Sequence, residues 1–179
     1  TGNHIPKGAI DIDFSVEKNI NIYSEITNKK NSQITVCLLD RPRHKKIISE
    51  LQKLNVNIKF ITDGDVSGAL LVSDKKFNVD IFMGIGGGPE GVIAAAALDS
   101  MNCNFQGRFL FKTNEDKSRA KQMGIKDLNK KYEINEIVKG ESIFCATGIT
   151  SCELMNGVVR KNNQYFTETI ITHNKSYLE

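Results

Sequence analysis

No stretch of this chain is apolar for long enough to cross a bilayer. The longest such runs, at Asp80–Gly84 and Val92–Leu98, fall far short of the ~20 residues a spanning helix needs. No basic segment followed by an apolar one opens the chain, so no secretion signal is expected. The four cysteines, Cys37, Cys103, Cys145 and Cys152, form no CxxC pair. That argues against a disulfide scaffold or structural zinc and for reduced thiols in a cytoplasmic protein, with Cys145 and Cys152 expected in the core. Charge of one sign is also scarce: 24 Lys and Arg against 21 Asp and Glu leave +3, too little to suggest nucleic acid or an anionic membrane as partner. No serine sits in a G-x-S-x-G elbow. His4 and His173 lie near the ends, and His44 opens a helix beside arginines, so a protein nucleophile is poorly supported. Repeats and low-complexity tracts are absent, and 40% apolar with 25% charged residues excludes disorder.

What is present is alternation. Gln33–Leu39 and Val56–Ile61 read as strands, Arg43–Leu54 between them has apolar residues at helical spacing, and a short helix follows at Val66–Leu71. Val79–Met83 is a third strand. Pro89–Met101 is a helix of small residues with proline in its first turn. A strand near Phe105–Phe111, a polar helix Glu115–Met123 ended by Gly124, and a strand Ser142–Ala146 follow. Gln164–Thr172 is read as one strand pairing with Gly157–Arg160 across Lys161–Asn163. Val16, Ile20, Ile22 and Ile26 suggest a helix packed on the sheet. At 179 residues this predicts a single α/β domain over 1–179.

In open α/β sheets, ligands gather at the carboxyl ends of the strands, and four loops there carry unusual chemistry. Asp40-Arg-Pro-Arg-His44 holds Arg41 and Arg43 on either side of Pro42, either converging on one phosphate or opening a solvated helix. Thr62-Asp-Gly-Asp-Val66 sets Asp63 and Asp65 around Gly64. These carboxylates can accept from sugar hydroxyls, hold a cation or cap the next helix, the last being favoured for Asp65. Gly84-Ile-Gly-Gly-Gly-Pro-Glu-Gly91 lets a ligand approach the backbone and offers amides at a helix start. Its match to G-x-G-x-x-G is weak, because Pro89 removes a donor and Glu90 would repel a pyrophosphate. A divalent cation between Glu90 and a phosphate resolves that repulsion, and a metal-activated water suits this residue set. At Ala146-Thr-Gly-Ile-Thr150, Thr147 or Thr150 either bonds phosphate or caps a helix over Ser151–Glu153.

Taken in order, Lys7–Asp13, Leu39–His44, Asp63–Asp65, Met83–Gly91, Gln106–Arg108, Met123–Ile125 and Ala146–Thr150 resemble class II fructose-1,6-bisphosphatase, the bacterial GlpX type. The resemblance implies a layered α/β sheet-and-helix domain of the inositol monophosphatase-like sugar phosphatase type. It also implies a Mg²⁺- or Mn²⁺-dependent hydrolase that takes the 1-phosphate from fructose 1,6-bisphosphate in gluconeogenesis. By motif, Arg41, Pro42, Arg43, Asp63, Gly64, Asp65 and Gly87 would contact the sugar bisphosphate and Glu90 would ligate metal.

Chains of that family are nearly twice as long. Their N-terminal portion carries most of the metal-binding carboxylates and the residues that position the attacking water. These 179 residues are therefore expected to be the C-terminal half, partnered by the N-terminal half of the same enzyme in a homo-oligomer. Alone they should bind sugar phosphate weakly and hydrolyse little. The alternative is a non-catalytic Rossmann-like module for a nucleotide or sugar phosphate, which would bind without metal.

Overall fold

The computed structural model describes residues 1–174. Its centre is a parallel sheet of three strands, β1 (Thr35–Leu39), β2 (Asn57–Ile61) and β3 (Ile81–Phe82), in the order β2-β1-β3. The register runs from Thr35 opposite Asn57 to Leu39 opposite Ile61, and Val36 and Cys37 face Ile81 and Phe82 on the other side. Because β1 is central, the chain leaves it one way to reach β2 and returns across it to reach β3.

Right-handed crossovers in opposite directions put the connecting helices on opposite faces. Helix α2 (Lys45–Lys53) packs on one face with α1 (Val16–Thr27), and α3 (Asp65–Leu70) packs on the other with α4 (Gly88–Ser100). Alternation along β1 feeds both cores. Val36 and Leu38 join Ile20, Tyr23 and Leu51 on the α1/α2 side, while Cys37 joins Leu70, Ala97 and Leu98 on the α3/α4 side. The expected α1 is present, capped by Ser15, whose Oγ accepts from Lys18 N at 3.1 Å. Its buried stripe is Asn19, Ile20 and Tyr23, whereas Ile26 is exposed.

Helix α4 is sandwiched, which is why alanines at 94, 95 and 97 are all buried. On its far side lies an antiparallel ribbon of β6 (Ile143–Thr147) and β9 (Thr169–His173), whose Phe144, Ala146 and Ile170 pack into the α3/α4 core. The layers thus run helices, parallel sheet, helices, ribbon. The intervening chain forms β4 (Gln106–Arg108), α5 (Asn114–Gln122), β5 (Lys131–Glu133) and the short α6 (Ile134–Ile137), with β4 and β5 antiparallel.

The expectation of one strand over Gln164–Thr172 is corrected. Its first part is β8 (Gln164–Phe166), which pairs with β7 (Val159–Lys161) through a two-residue turn, and its second part is β9 on a different partner. Asn162 and Asn163 both take positive φ, 49° and 59°, as the favoured tight hairpin turn demands. The segment after β6 is also corrected, since no helix covers Ser151–Glu153. The chain instead folds back on itself, with Val158 N bonded to Ile149 O and Cys152 N to Met155 O, both at 3.0 Å. Ser151 Oγ accepts from Gly157 N at 2.9 Å. A Cβ at Gly148 would collide with the Asn156 carbonyl, so the turn needs glycine there. Cys145 and Cys152, expected in the core, are exposed, while Cys37 and Cys103 are buried. Cys145 sits on the outer face of the ribbon beside Ile143 and Ile171.

Candidate functional site

Three of the four loops meet at the carboxyl edge of the parallel sheet. The β1 exit (residues 40–44), the β2 exit (62–65) and the β3 exit (83–88) lie side by side because their strands do. With β1 central, the gap between the ends of β1 and β3 is the point where the winding direction reverses, the usual place for a ligand crevice in such sheets.

Polar bonds fix the three loops to one another. Asp40 N bonds Ile61 O at 3.2 Å. Arg41 donates from Nη2 to Thr62 O at 2.6 Å and from Nη1 to Asp40 O at 3.1 Å, joining the first loop to the second. Arg43 donates through Nε to the Ile85 carbonyl, joining the first loop to the third. That bond uses Nε and leaves the two Arg43 terminal nitrogens uncommitted to it. The side chain is exposed, so its two terminal amines are free to grip an anion.

The acidic turn is built as its sequence suggests, with one adjustment. Gly64 takes φ +77° and is the N-cap of α3, so Asp65 is the first helical residue rather than the cap. Its Oδ1 accepts from Val66 N at 3.0 Å. Its other oxygen lies so near Gly86 that a Cβ there would stand 2.6 Å from it, which joins the second loop to the third. Asp63 is exposed and accepts from Gly64 N at 2.9 Å.

Gly87 is the N-cap of α4, Pro89 and Glu90 fall in its first turn, and the Glu90 carboxylate folds back over Gly87. The loop backbone is open at Gly86, Gly87 and Gly88, and α4 points its amino end at the crevice, where an anion is favoured. Glu90 is exposed and makes no ion pair or side-chain hydrogen bond to a described residue. Among the described residues no three His, Cys, Asp or Glu side chains gather where they could hold a metal ion. Glu90 thus fits as one oxygen ligand of a divalent cation, and these residues do not complete a coordination shell.

The fourth loop stands apart, because Thr147 ends an antiparallel strand of the ribbon and bonds Thr169 Oγ1 at 2.8 Å. The segment after it does reach the site's flank. Ser151–Leu154 and the Thr62–Asp63 turn wall a cleft of about 300 Å³, floored by Leu71, and Lys59 on β2 pairs with Glu153.

His44, expected to open a helix beside the arginines, is fully buried and bonded at both ring nitrogens. The one available signal was its place directly after a strand, on a turn that must pack under the next loop. The motifs Lys7–Asp13 and Gln106–Arg108 bind each other. Arg108 bonds Asp13 at 2.6 Å, Lys131 pairs with Asp11 and, at 3.4 Å, with Asp13, and Ile12 N bonds Gln106 Oε1 at 3.0 Å.

A family model described as bacterial fructose-1,6-bisphosphatase, glpX-encoded, matches residues 1–178. Among curated proteins, the chain is similar to D-fructose 1,6-bisphosphatase class 2/sedoheptulose 1,7-bisphosphatase of Synechococcus sp. (strain JA-2-3B'a(2-13)), with 37% identity over 95% of this chain and 53% of the relative. The proteins of the same name from Trichodesmium erythraeum and Synechocystis sp. are 36% and 34% identical, over 96% and 95% of this chain and 54% and 53% of their own. The chain spans about half the length of the curated relatives it matches.

Proposed function

Because the chain belongs to the family of bacterial, glpX-encoded fructose-1,6-bisphosphatases, we propose that it is part of a phosphatase that converts fructose 1,6-bisphosphate to fructose 6-phosphate, a step of gluconeogenesis in the cytoplasm. In this reading residues 1–179 are one α/β domain, the C-terminal half of a longer chain that assembles as a homo-oligomer. The observation that carries the proposal is the bonding of three loops into one crevice that presents two arginines, two aspartates and a glutamate beside open glycine backbone.

Each residue has a part consistent with its chemistry. Arg43, oriented by its Nε bond, neutralises substrate phosphate with its terminal nitrogens, and Arg41 holds the neighbouring turn while adding positive charge. Pro42 stiffens the segment between them. Asp63 and Asp65, set around Gly64, accept from sugar hydroxyls and so favour a polyol over an apolar phosphate ester. Gly87 allows the ligand close to the α4 amino end. A Mg²⁺ or Mn²⁺ ion would polarise the phosphoryl group and supply a nucleophilic water. Glu90 is the ligand this chain offers it, the others coming from the N-terminal half.

The test is phosphate release from fructose 1,6-bisphosphate with Mn²⁺, run on the full-length chain and on residues 1–179. Turnover by the full chain and none by the shorter one supports the reading. Sedoheptulose 1,7-bisphosphate, which the relatives' name includes, is assayed beside it. Metal-independent binding of an adenine nucleotide, unchanged by Glu90→Gln and without any bisphosphatase turnover, would overturn it.

A further inference from the structure

His44 is fully buried between the anion-facing loops, and both of its nitrogens are committed. Nδ1 lies 2.7 Å from the Leu39 carbonyl, and Nε2 lies 2.9 Å from the backbone nitrogen of Ile85. A carbonyl only accepts and an amide N–H only donates, so Nδ1 carries the hydrogen and Nε2 is a bare acceptor. One neutral tautomer satisfies both bonds. The next residue back, Arg43, bonds the carbonyl of the same Ile85. Consecutive residues of the β1 exit therefore hold both backbone groups of one residue in the glycine-rich loop.

We infer that His44 is a positioning residue for phosphate binding, fixing the glycine-rich loop against Arg43 through Ile85. The geometry explains why such a device is needed. The loop is rich in glycine and so has the widest conformational freedom of any segment in the site, and β3 above it is only two residues long. Without an anchor, ordering the loop would be charged to each binding event. With Ile85 pinned at N–H and C=O, the amides at Gly86 to Gly88 and the Arg43 fork keep a fixed spacing before the ligand arrives. The role of His44 is indirect, since its buried ring reaches the ligand only through Ile85 and Arg43.

This inference rests on the phosphatase reading above, and the experiment separates the two. In the full-length chain, His44 is replaced by Asn, Gln and Phe. Asn keeps a donor near Nδ1 but no acceptor near Nε2, Gln places its oxygen near Nε2, and Phe fills the space with neither. The expected order of KM for fructose 1,6-bisphosphate is wild type, then Gln within about threefold, then Asn and Phe raised about tenfold or more, the loss of one buried hydrogen bond. The kcat of all three should change less than KM, and thermal midpoints for Gln and Asn should lie together. A packing role would leave Phe closest to wild type, and equal KM for Gln and Asn would overturn the inference. Failure of the wild-type chain to hydrolyse the substrate would instead overturn the phosphatase reading.

Discussion

The hydroxyl of Tyr23 donates to Asp80 Oδ1 at 2.7 Å, joining the middle of α1 to the residue that leads into β3. The same carboxylate accepts from Lys29 Nζ at 2.6 Å and from Thr35 N at 2.8 Å, and His4 Nε2 lies 3.1 Å from the Tyr23 oxygen. Asp80 thus ties the first helix to the entry ends of β1 and β3, the edge opposite the proposed site. Burial, reinforced by Asp80, holds the Tyr23 phenol well above its usual range, so it stays a donor at any physiological pH. Tyr23→Phe should cost about 1.5–3 kcal/mol, the range for a hydrogen bond to a charged group. Asp80→Ala should cost more, at least about 3 kcal/mol, because it removes the acceptor shared by Tyr23, Lys29 and the Thr35 amide and leaves that amide without its side-chain partner. Urea midpoints of the two variants in the full-length chain check the order, and a smaller loss for Asp80→Ala would show that the carboxylate does not organise this network.

Gly87→Ala separates the site from the scaffold. A Cβ at Gly87 would overlap the tip of the Glu90 side chain and touch no backbone, and φ there is −71°, ordinary for any residue. The flexible carboxylate can swing away at little cost to the fold. Thermal stability should therefore stay within about 0.5 kcal/mol of wild type, while kcat/KM for fructose 1,6-bisphosphate falls at least about tenfold, or ~1.4 kcal/mol. Unchanged activity would mean that the present position of Glu90 is irrelevant to turnover.

Glu90→Gln keeps the size of the side chain and the space over Gly87 but removes the charge. If this carboxylate is one ligand of the ion, the Mn²⁺ concentration giving half-maximal activity should rise about tenfold or more. KM for substrate at saturating Mn²⁺ should move less. A variant with an unchanged Mn²⁺ requirement would remove Glu90 from the metal shell and leave it as a favourable charge at the start of α4, worth ~0.3–1 kcal/mol.

How far these relations were legible depended on whether they were local. β1 announces itself by a run of β-branched and apolar residues and β2 by alternation, and the loops after them carry their chemistry in adjacent residues. Arg41, Arg43, Asp63, Asp65 and Glu90 therefore stood out as candidates, while spacing left open whether they bind a ligand, cap a helix or face solvent. Where Gln164–Thr172 divides could not, because a two-residue period is the same whichever strand is the partner. Only the distant β6 decides that β9 leaves the hairpin. Burial failed in both directions for the same reason. Cys145 lies in an apolar stretch yet faces outward from a two-stranded ribbon, and His44 lies among charges yet is covered by a loop forty residues away in sequence. The motifs Lys7–Asp13 and Gln106–Arg108 are likewise joined only in three dimensions, by the ion pair of Asp13 with Arg108 and the bond from Ile12 N to Gln106.

That cluster sets an expectation for acid. Arg108 beside Asp13 holds its carboxyl below the usual value, with Lys131 adding to the effect. For Asp11 burial is the largest single influence and pulls upward, yet the bonds from Lys131, the Asp13 amide and Gln106 together with the Lys131 charge outweigh it, and the net direction is down. Carboxylates with depressed values in the folded chain bind fewer protons than in the unfolded one, so their stabilisation is complete above the ordinary value near 3.8. It is lost as pH falls through the lower folded values. His4, lowered chiefly by burial and then by Lys75, adds a loss that begins earlier, as pH falls below 6.5, because the unfolded chain takes up the proton first. The thermal midpoint of the full-length chain should therefore decline gently below pH 6.5 and steeply below about pH 4. Lys131→Met should lower the midpoint at pH 7 and flatten the steep limb, so that the two curves approach each other towards pH 2.5. Parallel curves over the whole range would mean that Lys131 contributes packing by its stem and not charge.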